Sequence, residues 1–501
     1  MKLRLISKVS LTILLNVVCD IFLYSQPTNS YTKNIVLPSA EVSSLGKYSD
    51  IATNNFNGLP TIDIPIYTVA DGTLSLPLSL SYHASGQVVS QVASRVGAGW
   101  SLNAGGMISR TVLGLRDEGS YGYYYNGANV PLPTDCNYYN WVVNAAHGNA
   151  QYETEPDIFS YNIGGYTGKF YFNMDGGTPV IKTIPKSDIK IIPHFQGTTS
   201  YVDHLDYFTI IGTDGTKYFL GKYNGKDGME LSQFSGTQNP IATGWQVVRI
   251  ESADGKYYID INYQDDNYEY VFQLPKNSMT CVGSPQNDFT SFKSKKISSI
   301  VSRTETVTFN DGIDKLDVRP HYQTPGLVPK SLGSISIVSG AYSKKFNLIQ
   351  SHWIDNEFPE VTSHLNYLLK LDAIQELSAD NSIVNPSTTF EYTIKAGNPN
   401  FYPNRLSKAI DHWGYYNGKT SNNTTNTLNI PFHNPVPCQN GATCSDLLLP
   451  NGNYNSDRET HEPSMMIGSL KKIVYPTGGN SEFVLKPTIT IPRKCKPTLQ
   501  S

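Results

Sequence analysis

The feature that most constrains this chain is a strict alternation of apolar and polar residues near its N-terminus. Leu74 to Tyr82 reads LSLPLSLSY, which places every second side chain on one apolar face. Thr61 to Thr68 reads TIDIPIYT and carries isoleucine at every second position from Ile62 to Ile66. Asp71-Gly72 lies between the two runs, and this pair supplies the positive φ angles that a tight turn needs. The pattern predicts a half-buried antiparallel β-hairpin.

The same turn chemistry recurs along the whole chain. Asp-Gly or Asn-Gly pairs begin at Asn57, Asp71, Asn126, Asp175, Asp214, Asn224, Asp227, Asp254, Asp311, Asn417, Asn440 and Asn451. Frequent tight reversals of this kind indicate an all-β fold with antiparallel, hairpin-rich sheets and few helices. The 33 tyrosines suit half-exposed strands, where the ring packs and the hydroxyl stays in water. The best helical spacing, Ser363 to Leu377, also fits a loop that leads into a strand, and we favour the latter.

A loose strand–turn–strand repeat runs through the second half of the chain. Each unit opens with an apolar pair in the pattern L-x-x-I. These elements are Val247 to Ile250, Ile297 to Ile300, Leu332 to Ile335, Leu371 to Ile374 and Leu470 to Ile473. Because a regular strand alternates its faces, two residues that are three positions apart cannot both point inward. We therefore expect the first apolar residue to lie on the incoming turn, or a β-bulge to intervene.

Several segments of the chain carry a recognisable pattern. In order they are Gly58 to Ile66 (GLPTIDIPI), Leu76 to Tyr82 (LPLSLSY), Gly97 to Leu102 (GAGWSL) and Ile108 to Arg110 (ISR). Together they resemble the N-terminal domain of RHS/YD-repeat toxin-shell proteins, including the SpvB-type domain and the B subunits of insecticidal toxin complexes. Glu155 to Phe159 (EPDIF), Gly168 to Phe170 (GKF) and Asp411 to Gly418 (DHWGYYNG) resemble motifs of long secreted RHS-like proteins of Bacteroidetes. The likeness covers most of residues 36–487.

The resemblance implies a particular organisation. It predicts a signal peptide at 1–26, an SpvB-like domain at 27–120, a β-rich domain with a Tyr/Asn/Gly-rich loop at 121–245, degenerate YD/RHS-like hairpin repeats at 246–488 with a loop insertion at 421–463, and a tail at 489–501. The sheets would be RHS-shell-like or β-sandwich-like. Such proteins usually continue into many repeats and a C-terminal effector, so we expect a truncated N-terminal part or relic. The implied partners are other shell or toxin-complex components, or further copies associating through sheet edges.

The first residues predict export from the cell. A basic start is followed by a mostly apolar run, Val9 to Tyr24, and by a plausible cleavage region at Ser25-Gln26. The apolar run is interrupted by polar residues and is too short for a good membrane span. Val18 precedes Cys19 where a lipoprotein signal needs a small residue, so we expect no lipidation there. The predicted location is the cell exterior or the cell surface.

Charge and cysteine usage exclude several kinds of site. Charged residues make up 16% of the chain and the net charge is -3, which does not favour nucleic acid or an anionic membrane as a partner. No Cys-x-x-Cys or His-x-x-x-His spacing accompanies the cysteines, so we expect no metal and no cofactor. Cys438 and Cys444 could close a small disulfide loop, or they could remain unpaired. Both possibilities stay open.

The glycine-rich segment around Trp100 is interpreted as structural. It lacks the lysine of a phosphate loop and the pattern of a nucleophile elbow. Gly97 and Gly99 are therefore expected to be turn and close-packing positions that let Trp100 anchor the core. Trp413 is expected to be a second structural anchor. Glu155 and Asp157 could form an acid pair, although we favour an exposed turn before a strand.

These observations favour a non-catalytic structural module, the N-terminal part of an RHS-type shell, with no catalytic residues. The alternative is a surface module that binds glycan or protein, which would show a planar aromatic patch. The candidate residues for that patch are Tyr123, Tyr124, Tyr125, Tyr138, Tyr139 and Trp141. A second alternative is a secreted glycoside hydrolase, which needs two carboxylates roughly 5–10 Å apart in a cleft.

Overall fold

The structure is a computed structural model and is predominantly antiparallel β-sheet, which confirms the predicted all-β fold. It describes residues 59–119, 122–126, 131, 134–146, 155–175, 178–196, 204–234, 239–273, 287–357, 363–378, 382, 384–424 and 457–484. The predicted signal peptide, the tail at 489–501, Cys19, Cys438 and Cys444 lie outside these residues. In the described part of the chain, no helix is both long and apolar enough to cross a bilayer.

The strands are short and are numbered in chain order. They are β1 (Ile62–Asp71), β2 (Leu74–Tyr82), β3 (Trp100–Asn103), β4 (Gly106–Thr111), β5 (Ile158–Ile163), β6 (Tyr166–Asp175), β7 (Thr178–Ile184), β8 (Lys190–Gln196), β9 (His204–Ile211), β10 (Lys217–Tyr223), β11 (Lys226–Asp227), β12 (Met229–Phe234), β13 (Ile241–Glu251), β14 (Tyr258–Asp265), β15 (Tyr268–Gln273), β16 (Asn287–Lys293), β17 (Lys295–Val301), β18 (Glu305–Asp314), β19 (Arg319–Pro320), β20 (Lys330–Ser339), β21 (Tyr342–Ile354), β22 (Tyr367–Ser378), β23 (Thr388–Tyr392), β24 (Leu470–Val474) and β25 (Asn480–Glu482).

The strands pair into an N-terminal sheet, β1-β2-β3, and two larger sheets. The short sheet has the order β7-β6-β5-β4-β13-β12-β16-β15-β19. The long sheet has the order β8-β9-β10-β13-β14-β17-β18-β20-β21-β22-β23-β24-β25. Strand β13 belongs to both, because residues up to Gln246 pair in the short sheet and residues from Val247 pair in the long sheet. This shared strand joins the two sheets.

The predicted N-terminal hairpin is confirmed. Strands β1 and β2 pair antiparallel, and Asp71 stands opposite Leu74 across the tight turn. A register shift between Pro65 and Tyr67 changes the inward positions along β1. Past this bulge, the fully buried side chain of the strand is Val69. The apolar face of β2 is buried along its whole length, as strict alternation requires.

Every L-x-x-I element contains a β-bulge, which confirms the second of the two expected explanations. The register shifts by one residue within each element, so the second residue has no partner on the neighbouring strand. These unpaired residues are Val248, Ser298, Gly333, Asp372 and Lys471. The extra residue offsets the odd spacing of three positions between the two apolar residues, so both of them can face the core. Leu371 and Ile374, for example, are 0% and 6% exposed.

One hydrophobic cluster joins the three sheets. It includes Leu80 of the N-terminal sheet, Phe159 of the short sheet and Ile300 of the long sheet, all fully buried. The cluster extends along the chain from Ile62 to Ile473. The predicted division at 27–120, 121–245 and 246–488 remains a prediction.

The few helices are short. They are α1 (Tyr123–Asn126), α2 (Tyr138–Ala146), a 3-10 helix (His364–Asn366), α3 (Ser421–Thr424) and α4 (Glu462–Met465). The 3-10 turn leads directly into β22, so the strand interpretation of Ser363 to Leu377 is confirmed. Strands β14, β18, β21, β23 and β25 follow the L-x-x-I strands as the repeat predicts.

The bulge at Lys471 provides a direct test of this architecture. Deleting Lys471 alone leaves Leu470 and Ile473 two positions apart, so a regular strand keeps both inward, whereas deleting Lys471 and Lys472 together makes them adjacent and turns one of them towards solvent. Because exposing such a side chain costs about 1.5–3 kcal/mol, we expect the double deletion to lower the free energy of unfolding by about 2 kcal/mol more than the single deletion does, as measured in urea titrations. Lys471→Ala keeps the extra residue at an exposed position and should stay within about 0.5 kcal/mol of the parent. Equal stability of the single and the double deletion would contradict the role of the bulge.

Candidate functional site

The segment from Arg95 to Trp100, called the inner segment here, lies against the bulges of the long sheet. Leu332, the first residue of one L-x-x-I element, donates its N–H to the Arg95 carbonyl at 2.9 Å. The Ala98 N–H donates to the Leu369 carbonyl at 2.8 Å. Gly97 has a φ of +146°, and a Cβ atom there would lie 2.7 Å from the Leu371 backbone nitrogen. The predicted close-packing role of Gly97 therefore reflects contact between two backbones.

Trp100 occupies the anchor position that the sequence predicts for it and is 1% exposed. Its indole N–H donates to the Tyr392 hydroxyl at 2.9 Å, and that hydroxyl donates to the Leu371 carbonyl at 2.6 Å. Gly99 lies beside it with a φ of +76°, and a Cβ atom there would meet the Tyr82 ring at 2.5 Å. The Tyr82 hydroxyl accepts the N–H of Leu470 at 2.9 Å.

These contacts all supply hydrogen-bond partners to backbone groups at the bulges. A β-bulge removes backbone groups from the regular ladder, and a buried backbone group without a partner is costly. At Leu332, Leu371 and Leu470, these groups find partners on Arg95, Tyr392 and Tyr82. The glycine-tryptophan motif is therefore built as an internal support for the repeats.

The EPDIF motif contributes to a cluster of buried charged side chains, called the Arg110 cluster here. Arg110 at the end of β4 is fully buried and donates from Nε to Asp157 Oδ2 at 2.7 Å. It also makes a two-pronged contact with Glu118, from Nη1 at 2.9 Å and from Nη2 at 2.6 Å. Asp157 additionally accepts the N–H groups of Leu113 at 2.8 Å and Asp117 at 3.1 Å. One arginine thus ties together both ends of a long connection.

Asp117 adds a third carboxylate to this cluster. Its Oδ1 accepts the N–H of Asp157 at 3.0 Å, whereas its Oδ2 has no hydrogen-bond partner among the described residues. Burial and the neighbouring charge of Asp157 raise the pKa of Asp117 well above its usual range. Burial alone would also raise the pKa of Glu118, but Arg110 outweighs it and lowers that pKa. Burial raises the pKa of Asp157 as well, against the opposing effect of Arg110. Asp117, which receives no hydrogen bond from Arg110, is the carboxylate of the three that takes up a proton most readily.

This geometry corrects the interpretation of Glu155-Pro156-Asp157 as an exposed turn. Glu155 is exposed, but Asp157 is 0% exposed and faces Arg110. Sequence reasoning overlooked Arg110, Asp117 and Glu118, because their partners come from distant parts of the chain. The available signal was a lone charged residue, Arg110, in an otherwise uncharged strand together with an acidic motif. The cluster is enclosed, so these carboxylates act as a structural ion cluster.

Trp413 requires a second correction. It was expected to anchor the core, but its side chain is 64% exposed. The anchor of this loop is Asp411, which is fully buried and accepts the N–H groups of Trp413 at 2.9 Å and Tyr415 at 3.0 Å. Gly414 completes the tight turn with a φ of +91°. The aspartate therefore holds the loop while the indole points outward.

The aromatic residues that the sequence suggested for a surface patch do not share one environment. Tyr124 packs against Phe172 and Phe195, with ring centroids 5.3 Å apart in both cases. Tyr139 on α2 is instead 74% exposed. The structure therefore divides the residues that were considered for an aromatic patch between packing and the surface.

A narrow cleft of ≈ 60 Å³ lies between the inner segment and the start of β17. A buried water needs about 10–15 Å³, so the cleft has room for a few waters. Lys295 and Lys296 line it, but Lys295 is bound by Asp265 at 2.7 Å and Lys296 by Asp311 at 2.6 Å. The cations at this cleft are already paired with acids. Among the described residues, no group of histidine, cysteine and acidic side chains is arranged to hold a metal ion.

Comparisons with known proteins add little to this description. No protein-family model matches the chain, and no curated protein matches it. Among solved structures, the chain is similar to the crystal structure of TcdB2-TccC3-Cdc42, at 11% identity and a TM-score of 0.36 over 67% of its length. It spans only 16% of that chain. A TM-score this low carries no argument about function.

The Arg110 cluster gives a pH-dependent prediction. Because folding raises the pKa of Asp117, its contribution to stability is greatest at acidic pH and is lost as pH rises through the folded-state pKa. Asp117→Asn should therefore raise the free energy of unfolding at pH 7, by about 1 kcal/mol or more, and lose this advantage near pH 4.

Asp157→Asn is the matched control for that substitution. It leaves the buried Arg110 without one of its two paired anions, and we expect a loss of about 3–5 kcal/mol at pH 7. Urea titrations of both variants at several pH values measure the difference. If Asp117→Asn destabilised the protein at pH 7 as much as Asp157→Asn, the proposed protonation state would be wrong.

Proposed function

We propose that this chain is a non-catalytic, secreted or cell-surface structural module, the SpvB-like N-terminal part of an RHS-type toxin shell. The observation that carries the proposal is that the inner segment, together with Tyr82 and Tyr392, supports the bulges of the long sheet. Arg110 is buried and paired with buried Asp157 and Glu118, so these charges hold the fold together. We propose no glycoside-hydrolase role for these carboxylates, because they are enclosed.

We also propose that the chain associates with shell components or with further copies through a sheet edge. The outermost strands β7, β8 and β19 contain Pro179, Pro193 and Pro320, and proline has no N–H to offer to a new strand. Strand β25, at the other end of the long sheet, contains no proline and pairs only with β24 among the described residues. An added strand would therefore find its backbone donors at β25.

Export is tested with the full chain in a bacterial host that has a general secretion pathway. We expect the chain to leave the cytoplasm and to begin near residue 27, as measured by mass spectrometry of its N-terminus. A variant without residues 2–26 should remain in the cytoplasm. Retention of the full chain in the cytoplasm with Met1 in place would argue against a secreted module.

Association is tested at the edge of β25. The Phe483 N–H bonds to the Lys471 carbonyl at 2.8 Å, so by alternation the N–H groups of Asn480 and Glu482 point to the open side. Glu482→Pro removes one of these donors, whereas Glu482→Ala keeps it. In sedimentation velocity runs, we expect concentration-dependent association of the parent and of Glu482→Ala, and at least a tenfold weaker association of Glu482→Pro. A parent that stays monomeric, or equal behaviour of the two variants, would refute association through this edge.

A further inference from the structure

A strip of aromatic rings crosses three neighbouring strands of the long sheet. His194 of β8 stacks on Tyr207 of β9, with centroids 3.9 Å apart and planes within 5° of parallel. Tyr207 meets Tyr223 of β10 at 5.5 Å, and Tyr223 stacks on Phe219 at 4.0 Å. These four residues are called the aromatic strip below.

The strip lies on the face that points away from the core. Phe208 and Leu220, the neighbours of Tyr207 and Phe219 in sequence, are fully buried members of the core cluster. Because successive side chains alternate between faces, Tyr207 and Phe219 point the other way. Phe219 is only 8% exposed, yet it does not belong to the core cluster. Stacking within the strip therefore covers it.

The backbone of β10 is irregular where the strip is formed. Residues four apart on a regular strand lie about 13 Å from each other, yet the rings of Phe219 and Tyr223 are in contact. A φ of +98° at Gly221 bends β10 between the two residues. A Cβ atom on Gly221 would meet Trp245 at 2.6 Å, so this position requires glycine. The irregularity therefore re-aims side chains so that aromatic rings gather on the outer face.

The polar groups near the strip indicate a neutral ligand. Among the described residues, the hydroxyls of Tyr207 and Tyr223 have no hydrogen-bond partner. Arg249 pairs with Phe219 across the strands and lies over the Tyr258 ring at 4.2 Å. Its charge is balanced by Asp260, 3.4 Å away. The strip therefore offers ring surface and hydroxyl groups to a ligand, and the cation opposite Phe219 is already balanced.

We propose that the aromatic strip binds a neutral carbohydrate chain. Sugar rings present apolar C–H faces and hydroxyl groups, which match aromatic rings that carry hydroxyls of their own. The proposal goes beyond the structural role, because a shell module needs no ligand on its outer face. The strip consists of residues other than Tyr123, Tyr138 and Trp141, which the sequence had suggested.

The test is native electrophoresis of the purified chain in gels that contain dextran, laminarin, mannan or xyloglucan, with heparin as the charged comparison. We expect retardation by at least one neutral polysaccharide and none by heparin. Tyr207→Ala and Tyr223→Ala should each weaken that retardation about tenfold or more, because truncating a central contact residue removes most of its binding. Tyr207→Phe keeps the ring and should retain part of the binding.

Tyr342→Ala is the matched control, since Tyr342 is 51% exposed on a different hairpin. Thermal melting of every variant separates lost binding from lost folding, and His194→Ala at the end of the strip replaces any alanine variant that does not fold. The proposal is overturned if no neutral polysaccharide retards the chain or if heparin retards it more strongly. It is also overturned if Tyr342→Ala weakens binding as much as the strip variants do.

Discussion

The extra residue in each L-x-x-I element is the constraint on which the long sheet depends. An apolar pair three positions apart cannot face one side of a regular strand, and the bulge resolves this conflict. Leu332 and Ile335, like Leu470 and Ile473, are buried for this reason. The bulge also creates a cost, because it leaves backbone groups in the interior without ladder partners. The fold must therefore supply those partners from elsewhere in the chain.

The inner segment and Tyr82 of β2 meet this requirement. Arg95, Tyr82 and Trp100 lie far from the repeats in sequence, yet their backbone or side-chain groups reach the bulges directly or through Tyr392. Glycine is needed at Gly97 because the two backbones touch there. A long sheet of repeated hairpins is thereby coupled to an N-terminal block. Removing either part would leave buried polar groups unpaired. The two parts also share one hydrophobic cluster.

Much of this fold could be predicted from local sequence patterns. The hairpin turn at Asp71 and the bulges follow from alternation and turn chemistry, which act over a few residues. The Arg110 cluster could not be derived in this way. Asp157 lies far along the chain from Arg110, and the short motif that contains it suggests an exposed turn equally well. Only the pairing of β4 with β5 brings the two charges together.

The two tryptophans also show that local sequence does not determine whether a side chain is buried. Trp100 and Trp413 both lie beside glycines, so their local sequence gives no reason to treat them differently. The two loops are held by different residues. The Trp100 indole donates a hydrogen bond to Tyr392 inside the core, whereas in the second loop the Asp411 side chain accepts the backbone N–H of Trp413. Because a buried aspartate already holds that turn, the indole is not needed for packing and can remain 64% exposed. An aromatic residue in a turn motif is therefore an anchor only where the turn lacks another buried group to hold it.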